Sequence, residues 1–535
     1  MEIRLKNSIN LYDWQKRCLA AWNENGRRGI VHVITGAGKT LMALAAAADA
    51  SEKPIRIRIV VPTLSLMYQW KQAISEFIVF SETEQPGERP IGYYCGEVKT
   101  SPPCKFTIYV VNSARHAISA HILRDMKQGI STLLILDECH HYGSRENAKI
   151  FHFLRSPDFK SNLYLSLGLS ATPECGGYQE TLVPAVGKEI FRYDIAGAAD
   201  DHHIPDYFIF QVALSFQDKE LKEYTRITDS MERLYAKLAR RYQTLKGSEL
   251  SKQILFLKET AKEGKGDPEA WAYLCLLYKR TRLCIMAKSR RDAAVKILEL
   301  LGPQKKVLIF SERIEQAESL HKALSRTMSR AVGIYHSEMS RDARKLALDR
   351  FRYGETGILI SCKALDEGID VPAADAGIIL SGTGVERQRI QRFGRLLRKS
   401  SDKDAALLYY LYVRQSREES VFLSDLPHPE NVVNLEYFHK EKLFLCYAYE
   451  ELAYPFLKRY QKNDPLYKEY RRCLTMGECR PDWLLPPEDL KQKQKTASDT
   501  RERNYYYVMQ ILSGLRQKAL SLKTVPPQTD REPLP

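Results

Sequence analysis

Between Val33 and Thr40 the chain reads Val-Ile-Thr-Gly-Ala-Gly-Lys-Thr, after the apolar run Gly29 to Ile34 and before Leu41-Met42-Ala43-Leu44. That order is strand, tight turn, helix. Glycines at Gly36 and Gly38 let the backbone wrap close to an anion, and the helix start turns its unpaired N–H groups toward it. Thr35, Gly36, Ala37 and Gly38 would form the cradle. Lys39 is placed to reach β- and γ-phosphates, and the Thr40 hydroxyl to bind Mg²⁺. The full pattern G-x-x-x-x-G-K-[ST] asks for glycine at position 33, where this chain has Val33. The plainer alternative is an ordinary strand–turn–helix that uses glycine for geometry alone. A nucleoside triphosphatase needs more: a metal-holding carboxylate, a base for water, and further cations on the phosphates.

The 535 residues are enough for about three domains. A net charge of +15 points to a polyanionic partner, most simply nucleic acid, although basic charge also serves solubility. No apolar run approaches the roughly 20 residues of a membrane span. The charged start, Met1 to Asn10, lacks an apolar signal region, so a cytoplasmic protein is expected. Eleven scattered cysteines without C-x-x-C pairs suit a reducing compartment.

The helix opened by Leu11-Tyr12-Asp13-Trp14-Gln15 precedes the phosphate loop. The Gln15 amide carries donor and acceptor together, as the edge of an adenine requires, or is simply a surface amide. Ile55 to Pro62 reads as a strand, and Thr63 opens the next helix. A hydroxyl there holds a nucleic-acid phosphate or merely caps the helix. Phe106 to Val111 is a further strand, ending at Asn112-Ser113. Thr132 to Leu136 then delivers Asp137 and Glu138 to a strand end, the edge where parallel α/β sheets bind ligands. Asp137 would hold the Mg²⁺ shell, and Glu138 would orient and deprotonate the attacking water. His140 is read as a phosphate sensor and interdomain contact rather than a metal ligand, because no matching His or Cys cluster lies near it. Ser170 and Thr172, after the strand Leu163 to Leu169, could link the carboxylates to the nucleic-acid side.

In order and spacing, Gln15, the Thr-Gly-Ala-Gly-Lys-Thr loop, Asp137-Glu138-Cys139-His140 and Ser170-Ala171-Thr172 resemble the motifs of superfamily 2 helicases. The Asp-Glu-Cys-His box and Gly-Leu-Ser-Ala-Thr-Pro-Glu look most like DEAD/DEAH-box relatives of the XPB and RadD repair kind. They also resemble the motor subunits of type I and type III restriction enzymes. The resemblance implies ATP as cofactor, DNA as partner, and a second RecA-like core whose arginines complete the ATP site.

Such a core is legible. Strands are expected within Lys306 to Arg313, with a polar end, Val332 to Ser337, Gly357 to Pro372, with a long loop, and Ala376 to Leu380, alternating with helices as in a parallel sheet. Arg395 and Arg398 stand one helical turn apart and could stabilise charge on a γ-phosphoryl group. They match the family's Q-R-x-G-R-x-x-R motif, after its E-G-x-D motif at Glu367-Gly368-Ile369-Asp370. By that resemblance Gly368 belongs to the nucleotide site, Asp370 contacts the ribose, Gln391 serves the γ-phosphate or its water, and Thr63, Ser113, Ser311 and Ser361 track nucleic-acid phosphates.

The expected architecture is α/β: two tandem RecA-like parallel-sheet domains, 1–204 and 205–415. The second would carry a helical insertion at about 218–301, where Lys237, Arg240 and Arg241 touch DNA or form a solvated face. A mainly helical region, 416–522, would follow, with Phe438, Leu443, Phe444, Leu445, Tyr447, Tyr449, Leu452 and Tyr454 in a packed helical segment and 523–535 as a disordered tail. Pro481-Asp482 and Asp489-Leu490-Lys491 spell a nuclease fragment that is set aside, since two prolines interrupt it. The expected activity is an ATP-dependent DNA helicase or translocase. The alternative is a nucleic-acid-stimulated ATPase switch, or the motor subunit of a restriction, repair or phage-defence complex, without unwinding of its own.

Overall fold

The computed structural model describes residues 2–362 apart from short stretches, of which 82–88 is the longest. Beyond them it describes 374–381, 405–419 without 417, 432–438, 443–445 and, in part, 485–514. The described residues fall into two compact units, the first ending at Asp206 and the second beginning at Tyr207.

The first unit is built on a seven-stranded sheet. Its order is Arg89–Tyr94, Cys104–Val110, Ile55–Val61, Ser131–Asp137, Tyr164–Ser170, Arg28–Val33 and Glu189–Tyr193. Every pairing is parallel. Ile55–Val61, Cys104–Val110 and Ser131–Asp137 are buried at every position. That burial is why they read as continuous apolar runs: helices cover both faces of a parallel sheet. Three cations, Arg56, Arg58 and Lys105, break the runs, and the two arginines share one carboxylate. Arg58, fully buried, sets Nη2 2.5 Å from Asp125 Oδ2 and Nη1 2.5 Å from Thr107 Oγ1, while Arg56 pairs with the other Asp125 oxygen. Asp125 comes from the helix Val111–Lys127 and is itself fully buried. Buried charge is tolerated here because it is paired and hydrogen-bonded.

The register aligns the strand ends: Val61 lies beside Val110, Val60 beside Leu136, Asp137 beside Leu169 and His32 beside Ser170. The phosphate loop, Thr63, the first turn of Val111–Lys127, Glu138 and Ser170 therefore share one edge of the sheet.

The second unit has an eight-stranded sheet. Its order is Val332–Tyr335, Ile358–Cys362, Val307–Ser311, Ala376–Ile379, Ala405–Val413, Asp206–Leu214, Val432–Phe438 and Leu443–Leu445. The first five strands pair in parallel, as do Asp206–Leu214 and Val432–Phe438, and Leu443–Leu445 returns antiparallel. The helix expected through Phe438, Leu443, Phe444 and Leu445 is thus a pair of strands. Val433, Leu435 and Tyr437 are buried alternately, the period of a strand with one packed face.

Helices Asp218–Arg241, Leu250–Lys262 and Pro268–Ile285 share a core of their own, including Ile227, Met231, Leu238, Tyr273 and Leu274. Helix Lys288–Leu301 instead packs Ala293, Ala294, Ile297 and Leu298 onto the sheet. The helical insertion therefore ends near residue 285 rather than 301. Within it Arg241 pairs with Asp267 and Glu269, and Lys237 with Glu269, while Arg240 is exposed. Asp489-Leu490-Lys491 lies in the helix Pro487–Lys495, whose Leu490 is buried against the second sheet's core.

Candidate active site

Strand Arg28–Val33 ends at the loop, and helix Lys39–Asp49 begins at Lys39. Gly36 and Gly38 have φ of 90° and 98°, a region that favours glycine. Gly38 is the N-cap and brings no side chain, so the first-turn N–H groups lack a side-chain partner. Gln15 is fully buried beneath this turn. Its amide nitrogen donates to the Gly38 carbonyl at 3.1 Å, and its oxygen accepts from the Tyr12 N–H at 2.9 Å. A Cβ at position 38 would stand 2.9 Å from that amide nitrogen. Gln15 thus buttresses the cradle, with one donor and one acceptor engaged by the protein.

Lys39 Nζ lies 3.2 Å from Glu138 Oε1, and both side chains are largely buried. Burial works against the charge on Lys39, but Glu138 and Asp137 outweigh it and raise its pKa. Burial pushes the Glu138 carboxyl up, but Lys39 and His140 outweigh it and hold it below its ordinary value. Asp137 shifts up, through burial first and the neighbouring Glu138 second. Glu138 sits at φ 48° and ψ 55°, a left-handed conformation that a non-glycine residue rarely adopts. Strain of this kind persists where surrounding structure holds it, and it clusters at active sites.

His140 is buried, with Nδ1 2.9 Å from Ser170 Oγ and 3.6 Å from Glu138 Oε2. Ser170 Oγ also accepts from the Thr172 N–H at 3.0 Å. A continuous path therefore runs from the carboxylate pair to the end of the next strand. Two residues that the sequence reading passed over complete the frame. Trp70 Nε1 donates to Asp137 Oδ2 at 2.8 Å, and the Tyr142 hydroxyl lies 3.0 Å from the Val60 and Asp137 carbonyl oxygens. Their signal was only that of buried aromatics, whose polar atoms must find partners.

The oxygens near the loop suit a hard divalent cation. Thr40 would offer a hydroxyl and Asp137 a carboxylate, and nucleotide phosphates and water would complete a Mg²⁺ shell. Thr35 Oγ1 and Glu138 Oε2 are buried without a hydrogen-bond partner among the described residues. Unmet capacity at these two atoms fits a bound phosphate and an attacking water. Among the described residues no group of three or more His, Cys, Asp or Glu could hold a metal without such help.

The remaining expected residues divide. Thr63 caps the helix Leu64–Phe77 through Leu66 N at 3.3 Å, and Ser113 is half-buried in the first turn of its helix. Ser311 and Ser361 are both buried. The Ser311 hydroxyl is taken up by the Arg313 carbonyl at 2.9 Å and Gln316 Oε1 at 2.7 Å, and Ser361 lies inside strand Ile358–Cys362. Neither hydroxyl is presented to a surface phosphate, because a strand-end serine in a covered sheet turns inward. Gly368, Asp370, Gln391, Arg395 and Arg398 lie outside the described residues.

Residues 8–175 match the family described as type III restriction enzyme, res subunit, and residues 290–400 match the helicase conserved C-terminal domain. The DNA 3'-5' translocase XPB2 of Sulfurisphaera tokodaii is 29% identical over 407 residues, covering 76% of this chain and 82% of that protein. The DNA 3'-5' helicase XPB of Mycobacterium tuberculosis is 24% identical over 396 residues, covering 73% of this chain but 58% of its own length. Among solved structures, the ATP-dependent type ISP restriction-modification enzyme LlaBIII bound to DNA superposes with a TM-score of 0.50 at 14% identity. That match covers 97% of this chain and 42% of LlaBIII, and it is a likeness of fold.

Proposed function

We propose that this chain, matched by the type III restriction res-subunit and helicase C-terminal family models and similar to proteins named as XPB translocase and helicase, is an ATP-dependent DNA helicase or translocase. The observation that carries the ATPase half is the buried Lys39–Glu138 pair at the phosphate loop, set beside Asp137. The DNA half rests on likeness to proteins named as DNA 3'-5' translocase and helicase.

In this reading Thr35, Gly36, Ala37, Gly38 and the free helix N–H groups cradle phosphate, and Gln15 holds the cradle from beneath. Thr40 and Asp137 would hold Mg²⁺. Bound ATP with Mg²⁺ supplies an electrophilic phosphorus and neutralises phosphate charge. Lys39 would turn from Glu138 to the β- and γ-phosphates, which frees the Glu138 carboxylate to meet the water. Glu138 then takes the proton of the attacking water, and the resemblance assigns Arg395, Arg398 and Gln391 to the γ-phosphate and Gly368 and Asp370 to the ribose. His140, Ser170 and Thr172 carry the state of the carboxylates toward the nucleic-acid side. Thr63 and Ser113 remain the proposed phosphate contacts of the first unit.

No helix among the described residues is long and apolar enough to cross a membrane. The cytoplasm and a protein partner in a restriction, repair or defence complex belong to the same proposal. ATPase assays on the purified chain test it. Hydrolysis is expected to rise strongly with DNA; equal stimulation by RNA, or none by either, would sink the choice of DNA.

A further inference from the structure

The helix Leu64–Phe77 buries Met67, Trp70 and Ile74, one stripe at helical spacing. An apolar stripe of this kind asks only for bulk, and a leucine or phenylalanine would fill it. Trp70 brings something more. Its indole is 1% exposed, and its N–H donates to Asp137 Oδ2 at 2.8 Å. The other oxygen, Oδ1, accepts the Glu138 N–H at 3.0 Å. The carboxylate is thus held from two sides, once by its own chain neighbour and once by a residue on a separate helix. The first donor fixes the carboxylate against the strained turn at Glu138. Only the second comes from outside that turn, so only the second sets the rotation of the Asp137 carboxylate independently of it.

The other indoles described in the first unit show that this placement is a choice. Trp22 donates to the Ser166 carbonyl at 2.9 Å, a purely structural bond. Trp14 Nε1 is buried without a hydrogen-bond partner among the described residues. Trp70 alone of these three gives its N–H to a carboxylate at the phosphate loop. Groups that orient a metal-holding carboxylate govern affinity for the ion, because coordination tolerates little angular error. The helix that carries Trp70 starts at Thr63, at the sheet edge proposed to meet nucleic acid.

We propose that Trp70 is a positioning residue, whose indole N–H holds Asp137 in the orientation that binds the divalent cation. The proposal rests on the reading of Asp137 as the cation's carboxylate. Trp70 touches neither nucleotide nor reacting atoms; it acts through Asp137.

Two replacements separate the N–H from the bulk of the ring. One is Trp70→Phe; the other replaces Trp70 by benzothienylalanine, which keeps the bicyclic shape and substitutes sulfur for N–H. Mn²⁺ binding is followed by electron paramagnetic resonance on the full chain with a non-hydrolysable ATP analogue, so no turnover is needed. The benzothienyl protein is expected to need about tenfold more Mn²⁺ for half-saturation, the loss of one hydrogen bond to a charged group. Its metal-free affinity for the analogue should match the wild type, and its thermal midpoint should fall only by the cost of the one lost hydrogen bond. Trp70→Phe should show the same Mn²⁺ shift, with some loss of thermal stability from lost packing. A wild-type Mn²⁺ requirement in the benzothienyl protein overturns the proposal, whatever Trp70→Phe does. Asp137→Asn distinguishes the two levels. If it loses Mn²⁺ while the benzothienyl protein retains it, the role of Trp70 falls and the metal reading stands. If it binds Mn²⁺ like the wild type, both fall.

Discussion

Replacing Glu138 with Gln lowers ATP turnover by about 10²–10⁴-fold, the range set by loss of a positioned general base, while ATP binding persists. Gln keeps the volume and the left-handed backbone at φ 48°, so the loop geometry is undisturbed. It cannot accept a proton from water. It also ends the ion pair that Lys39 makes at 3.2 Å, so the lysine meets the phosphates without first giving up a partner. Affinity for ATP should therefore equal or exceed that of the wild type. Phosphate release gives turnover, and a fluorescent ATP analogue gives affinity. Wild-type turnover in Glu138→Gln would refute its role as base; lost binding would mean that the carboxylate builds the loop.

The second large effect is on stability and lies away from the chemistry. Asp125→Ala destabilises the first unit by about 3–5 kcal/mol, the cost of leaving buried charge without its partner. Arg58 is fully buried and Arg56 nearly so, and both depend on the Asp125 carboxylate. Thr107 remains a partner for one Arg58 nitrogen, but it brings no charge. Replacing Arg56, Arg58 and Asp125 together by apolar residues of similar volume should cost far less, because the desolvation of three ions is then avoided. Denaturant unfolding followed by fluorescence measures both proteins. A loss below about 1 kcal/mol for Asp125→Ala would place the cluster among solvent-screened pairs.

The site was legible where geometry admits few residue types. Positive φ at Gly36 and Gly38 admits little besides glycine, and a lysine at a helix start after them has few other uses. Asp137 and Glu138 stood out because the apolar run Leu133 to Leu136 ends on two acids. Bonds between distant segments were not legible. Nothing in the order of residues links Trp70 to Asp137, or the Gln15 amide to Gly38, since both contacts exist only once helices settle on the sheet. Direction of burial was the other gap. Ser311 and Ser361 end or occupy strands just as a surface contact would, but the covered sheet turns them inward.

The fold divides along the same line. Period and breaks located five strands of the first sheet but not its two edge strands, Arg89–Tyr94 and Glu189–Tyr193, and in the second sheet the strands from Val307–Ser311 to Ala376–Ile379. Helical period alone could not say whether Lys288–Leu301 packs on its helical neighbours or on the sheet, and it chose the sheet. In Val432–Phe438 the alternation of Val433, Leu435 and Tyr437 was present in the sequence. The aromatic residues that follow it masked the signal, because they fit a helical stripe equally well.

Movement on DNA is tested most directly by displacement of a third strand from a DNA triplex, which reports translocation whether or not the duplex is opened. With ATP the wild-type chain should strip the third strand, and neither Glu138→Gln nor the wild type with a non-hydrolysable analogue should do so. DNA-stimulated hydrolysis with the triplex left intact would contradict a motor and leave an ATPase switch in its place.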